Sequence, residues 1–139
     1  MVASYAEYLD LSFRPDLNIL VLRWLRDATL VEIQHGSRAA LHMAQQHGTG
    51  QWFVDVRRRA AVSAENSTWM ADTFFPAAAA TLADTTLRIS YLIAPSRLGA
   101  IQLQPAAHEA ALVRTQAPSQ PYQFHIALDE AEAMQWLIS

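Results

Sequence analysis

The chain has 139 residues, 52% of them hydrophobic and 17% charged, with a formal net charge of −3. This length predicts one domain, 1–139, able to bury a core, and the composition excludes a disordered chain. The negative balance argues against general nucleic-acid binding, and the absence of cysteine excludes disulfides, thiolate nucleophiles and cysteine metal sites.

Tyr8 to Phe13 alternates Tyr8, Asp10 and Ser12 with Leu9, Leu11 and Phe13, the period of a half-buried strand. Arg14-Pro15-Asp16-Leu17-Asn18 is turn chemistry, and Ile19 to Leu25 follows as a second strand, apolar except for Arg23. The short connection makes the two an antiparallel pair. Thr29-Leu30-Val31-Glu32 fits a capping box, after which Leu30, Ile33, Ala40, Leu41 and Ala44 give a helical stripe. Gly48-Thr49-Gly50 ends that helix. Trp52, Phe53, Val54 and Val56, interrupted by Asp55, form a third strand starting at Gln51.

Three arginines, Arg57 to Arg59, close this strand, and Ser63 begins a second helix with Trp69, Met70, Thr73 and Phe74 on its buried side. Pro76 is expected to stop or kink that helix near Phe75, with another turn or two through Leu82. Leu87 to Ile93 alternates as a fourth strand. Pro105 suits a first helical position, so 106–114 reads as a short helix. Tyr122 to Ile126 is the fifth strand, and Asp129 or a near neighbour caps a closing helix through Ile138. The expected fold class is α/β: a mixed, mostly parallel five-stranded sheet with an opening hairpin and about four helices, in the order β-β-α-β-α-β-α-β-α.

Gln51-Trp52-Phe53-Val54-Asp55-Val56, Ser63-Ala64-Glu65-Asn66 and Leu128-Asp129-Glu130-Ala131-Glu132-Ala133 occur in that order along these elements. In element order and in these three patterns the chain resembles the STAS, or SpoIIAA-like, family, which includes bacterial anti-sigma-factor antagonists. The likeness runs from Tyr8 to Leu137. It is to a bacterial branch in which a tryptophan and a Phe-Pro pair mark the second helix, as Trp69 and Phe75-Pro76 do here. The resemblance implies a SpoIIAA-like fold and a regulatory, protein-binding role. Antagonists of the family carry Asp-Ser-Ser-Gly at the helix start, with a serine phosphorylated by a partner kinase. Here Ala64 or Glu65 stands where that hydroxyl is expected, so the phosphorylation switch is not carried over.

The bottom-up candidates centre on the same stretch. Guanidinium forks and helix N–H donors both favour anions, which makes Arg57, Arg58, Arg59 and Ser63 candidate anion- or partner-binding residues, with Glu65 and Trp69 on the adjoining helix. The bland alternative is a solvated loop whose arginines pair with nearby acids. Asp55 is either a functional carboxylate or a strand-end acceptor for backbone donors or an arginine such as Arg57, and the second reading is favoured. Ser37, Ser63 and Ser67 lie in no nucleophile motif; Ser63 is better read as an N-cap. The histidines at 35, 42, 47, 108 and 125 lack zinc spacing, His35 and His42 being two turns apart. No catalytic residue, metal ligand or cofactor is expected.

The N-terminus carries no basic segment followed by an apolar run, and no apolar run approaches the roughly 18 to 20 residues that span a bilayer. A cytoplasmic protein without a membrane span is the expectation. The leading function is a non-catalytic STAS-like regulatory or protein-interaction domain, with a second copy of the chain as one candidate partner. The alternative is a sensor for an anionic or lipid-like small molecule near Arg57–Arg59, with Trp69, Phe74 and Phe75 lining an apolar groove.

Overall fold

The computed structural model describes residues 2–59, 64–96, 115 and 119–139. Six strands lie in one sheet in chain order: β1 (Val2–Ala6), β2 (Leu9–Arg14), β3 (Ile19–Trp24), β4 (Gln51–Asp55), β5 (Leu87–Leu92) and β6 (Tyr122–Ala127). β1, β2 and β3 pair antiparallel, and β3 to β6 run parallel. The fold is α/β with a mixed sheet, as expected, but it has six strands rather than five. The added strand, β1, meets β2 across a turn at Glu7-Tyr8, a pair without the Asn-Gly or Asp-Gly chemistry that announces a tight hairpin.

Three continuous helices are described rather than four: α1 (Leu30–His47), a compound helix over residues 64–81, and α4 (Glu130–Ile138). The compound helix consists of α2 (Ala64–Trp69), a π-helical turn (Met70–Phe74) and α3 (Phe75–Thr81). The helix expected over 106–114 lies outside the described residues.

Period-two alternation divides the sheet's side chains into two cores. Leu9, Leu11, Leu20, Leu22, Trp24, Trp52, Val54, Leu87, Ile89 and Tyr122 point to one face, where Ile33, Ala40, Ala44, Phe74, Phe75 and Ala78 cover them. Ile19, Val21, Phe53, Leu92 and Ala127 point to the other, under Ala133 and Leu137 of α4. Consecutive parallel strands laid down in one direction by crossovers of one hand leave those crossovers on one face. That is why α1 and the compound helix share the first face, and α4 has the second.

The helix ends follow the local chemistry of the sequence. Thr29 Oγ1 accepts from the Glu32 backbone N–H at 3.2 Å, and the Thr29 N–H donates back to Glu32 Oε1 at 3.0 Å. Arg26 donates to both Glu32 carboxylate oxygens, at 3.1 and 2.9 Å. The hydrogen bonds from Arg26, and then that from the Thr29 backbone, hold the Glu32 carboxyl down at about 2. Replacing Thr29 by alanine is expected to cost about 1 kcal/mol, read as a shifted urea midpoint at unchanged slope. At the other end Gly48 takes φ 64°, and its N–H reaches the Ala44 and Gln45 carbonyls. Within α1, Gly36 marks a close approach: a Cβ there would lie 2.7 Å from Leu9 Cδ2 and 2.8 Å from Trp24 Cη2.

Pro76 does not stop its helix. Its ring crowds the carbonyl four residues back, that of Asp72, and it has no N–H to donate. The turn directly before it is π-helical, with the Phe75 N–H bonded to the Met70 carbonyl, and the wider backbone accommodates the ring. Residues five apart in an α-helix lie on different faces. The π turn instead brings Trp69 and Phe74 into a stack, centroids 5.4 Å apart and planes at 18°.

α4 is held at both ends. Asp129 caps its start, Oδ1 accepting from the Glu132 N–H at 2.7 Å. Arg88 of β5 donates to the Trp136 and Leu137 carbonyls, both at 2.9 Å, and lies 4.3 Å from the Trp136 ring. A guanidinium here satisfies free carbonyls and sits favourably at the negative end of the helix dipole.

Candidate functional site

β4 ends at Asp55, next to the C-terminal ends of β3 and β5, the side of an open parallel sheet where sites gather. Asp55 shares the α4 face with Phe53, and its side chain is only 10% exposed. Oδ1 accepts from the Arg57 backbone N–H at 3.0 Å and from Arg57 Nε at 3.1 Å. Oδ2 accepts from Arg57 Nη2 at 2.8 Å and from Arg23 Nη1 at 2.9 Å. Arg23, which is paired with Asp55 in the β3–β4 register, also donates from Nη2 to Glu130 Oε1 of α4 at 2.8 Å. Four charges thus alternate in a row: Arg57, Asp55, Arg23, Glu130. Burial alone would raise the Asp55 pKa. The bonds and charge of Arg57, with the Arg23 bond, outweigh it and hold the carboxyl below its ordinary value. Asp55 is therefore a saturated acceptor at a strand end, the reading its sequence context favoured.

The three arginines do not converge. Arg57 turns to the α4 face, where its bonds to Asp55 raise its pKa against the effect of burial. Arg58 is exposed, with no ion-pair partner among the described residues. Arg59 turns to the opposite face, its guanidinium 5.7 Å from the Trp24 ring. Burial lowers its pKa, opposed by Tyr91 and Asp27. The turn at 57–58 is the physical reason: side chains two apart share a face while the strand continues, and the turn ends that alternation before Arg59. Arg57 and Arg59 cannot clamp one small anion together.

On the adjoining helix Glu65 is exposed, and Trp69 is half-buried with the Arg38 guanidinium 5.9 Å from its ring. Ser63 lies outside the described residues. Phe74 and Phe75 face inward, Phe74 against Trp52 and Phe75 against Tyr91, Tyr122 and Phe124. They fill the core rather than line an open groove.

Two groups escaped the sequence reading. Arg23 and Glu130 complete the charge row; the signal was there, since one arginine interrupts the second apolar strand and one aspartate the third. On the same face, Ser90 Oγ lies 3.3 Å from His125 Nδ1, and His125 Nε2 lies 3.6 Å from Glu132 Oε1. The His125 ring stacks on Trp136 at 5.0 Å. Serine, histidine and glutamate in line suggest nucleophilic chemistry, but Ser90 is 0% exposed beneath α4, so no substrate reaches its hydroxyl. The line joins α4 to the sheet.

Among the described residues no helix is long and apolar enough to cross a membrane. No protein-family model, curated protein or solved structure matches the chain. The fold and this strand-end surface define its class: a mixed α/β domain with an arginine-bearing loop at the C-terminal end of its parallel strands.

Proposed function

We propose that the chain is a non-catalytic, STAS-like regulatory domain that binds a protein partner through the loop after β4 and the start of α2. The observation that carries this reading is Arg58: an exposed guanidinium with no acid to pair with among the described residues, at the sheet end where ligands and partners gather, a few residues before the exposed Glu65. Arg57 is held in place by Asp55 yet keeps 46% of its side chain exposed, so it presents a fixed fork beside Arg58. A partner that meets this surface offers carboxylates to the two arginines and a basic group to Glu65.

The test compares wild type with Arg58→Glu in pull-down from the source cell lysate and native mass spectrometry. Reversing a rim charge that steers and pairs is expected to weaken capture of a specific partner about tenfold, with folding unchanged. A partner captured equally by both proteins would overturn the proposed surface. A small co-purifying mass in place of a protein would move the reading to the sensor for an anionic ligand at the same loop.

A further inference from the structure

We propose that Arg57 governs how firmly α4 is held on the sheet, acting through Asp55 and Arg23 on Glu130. α4 is nine residues long, shorter than the roughly 12 to 15 residues at which an isolated helix becomes even marginal in water. Its helical state therefore depends on docking, and docked and open forms are the two states a neighbouring group can bias.

The N-terminal half of α4 meets the sheet's polar side chains through Glu130 to Arg23 and Glu132 to His125. Arg23 is divided between two acids, giving Nη1 to Asp55 and Nη2 to Glu130. Asp55 Oδ2 is likewise divided between two guanidinia, Arg57 and Arg23. When the Arg57 guanidinium is withdrawn, Asp55 keeps Arg23 as its one cation and draws it inward, away from Glu130. Glu130 also loses the direct attraction of Arg57, whose protonated form it favours. Both effects loosen the first turn of α4. The far end stays clamped by Arg88 on the Trp136 and Leu137 carbonyls, so the opening starts at Glu130.

An acidic group on a partner that engages the half-exposed Arg57 would produce the same withdrawal, linking events at the loop to α4. This last step rests on the partner-binding reading. The coupling between Arg57 and α4 does not, and it is measured without any partner.

Amide hydrogen exchange is followed in wild type, Arg57→Ala and Arg58→Ala, with Arg57→Gln read beside them so that a folding defect in one variant does not decide the outcome. Losing Arg57 is expected to speed exchange at the first-turn amides, 132–134, about threefold, the scale of one partly exposed ion pair. Arg58→Ala, from the same loop but without an acid partner among the described residues, leaves α4 unchanged. Glu130→Gln gives the same acceleration, and combining it with Arg57→Ala adds little, because both act on one link. The proposal is overturned if the Arg57 variants match wild type in α4, if the sheet amides accelerate equally, or if the two substitutions simply add.

Discussion

Phe75→Ala is expected to destabilise the protein by about 4 kcal/mol, the largest loss for any single truncation argued from this structure. The Phe75 ring is 2% exposed and stands among four others, with centroids 5.4 Å away at Tyr122, 5.9 Å at Phe74, 6.0 Å at Phe124 and 6.2 Å at Tyr91. Removing it forfeits the burial of a large side chain and several edge-to-face and tilted ring contacts. The walls of the cavity are stiff, because Tyr122 and Phe124 are fixed by β6 and Tyr91 by β5. Alanine also leaves the helix on the sheet with less to bind it, since Phe75 is where α3 begins. Urea unfolding should show a large fall in midpoint with an unchanged slope, and Phe75→Leu, which keeps most of the volume, should lose less than half as much. A loss below about 2 kcal/mol for the alanine variant would mean that the π turn closes onto the cavity, and that this helix is more pliable than its packing indicates.

The π turn marks the boundary of what the amino-acid order discloses. Alternation over Tyr8–Phe13 and Leu87–Ile93 was sufficient to place β2 and β5, and the nearly unbroken apolar run Ile19–Leu25 to place β3, because a strand covered on both faces leaves a run rather than a period of two. The Thr29 box, Gly48 and the Asp129 cap were legible because capping depends on a few adjacent residues. β1 was not legible: Val2-Ala3-Ser4-Tyr5-Ala6 carries little alternation and no turn signal follows it. At Pro76 the further turns after the proline were legible but the π turn before it was not, since a proline fixes only what the backbone must avoid, and widening the preceding turn satisfies it as well as ending the helix does.

The site was half legible for a related reason. A run of three arginines after a strand is visible in one dimension, but the face each one takes depends on the turn at 57–58 and on which acids the register brings near. Arg23 and Asp55 stand 32 residues apart and become neighbours only through the β3–β4 pairing. Glu130 joins them from another 75 residues along, by the docking of α4. Long-range register, rather than local pattern, assembles the charge row and leaves Arg58 outside it.

Asp55→Ala is expected to cost about 3 kcal/mol at pH 7, the lower end for removing one member of a buried ion pair. The carboxylate is 10% exposed, but Arg23 and Arg57 keep 35% and 46% exposure and can turn toward water once it is gone. The loss has a pH signature. The folded protein holds the Asp55 carboxyl below its ordinary value: burial opposes this, but the bonds and charge of Arg57 and the bond from Arg23 prevail. A carboxylate depressed in the folded state contributes stability that is present above its unfolded value, about 3.9, and is lost as pH falls through the folded one. The gap between wild type and Asp55→Ala should therefore be full at pH 7 and contract below about pH 4. Glu32, also held low, adds to the acid sensitivity of both proteins and cancels in the difference. Urea unfolding of the pair at pH 7 and pH 3 decides the point. An equal gap at both pH values would show that Asp55 acts by filling space, and the row from Arg57 to Glu130 would lose the charge that joins its two arginines.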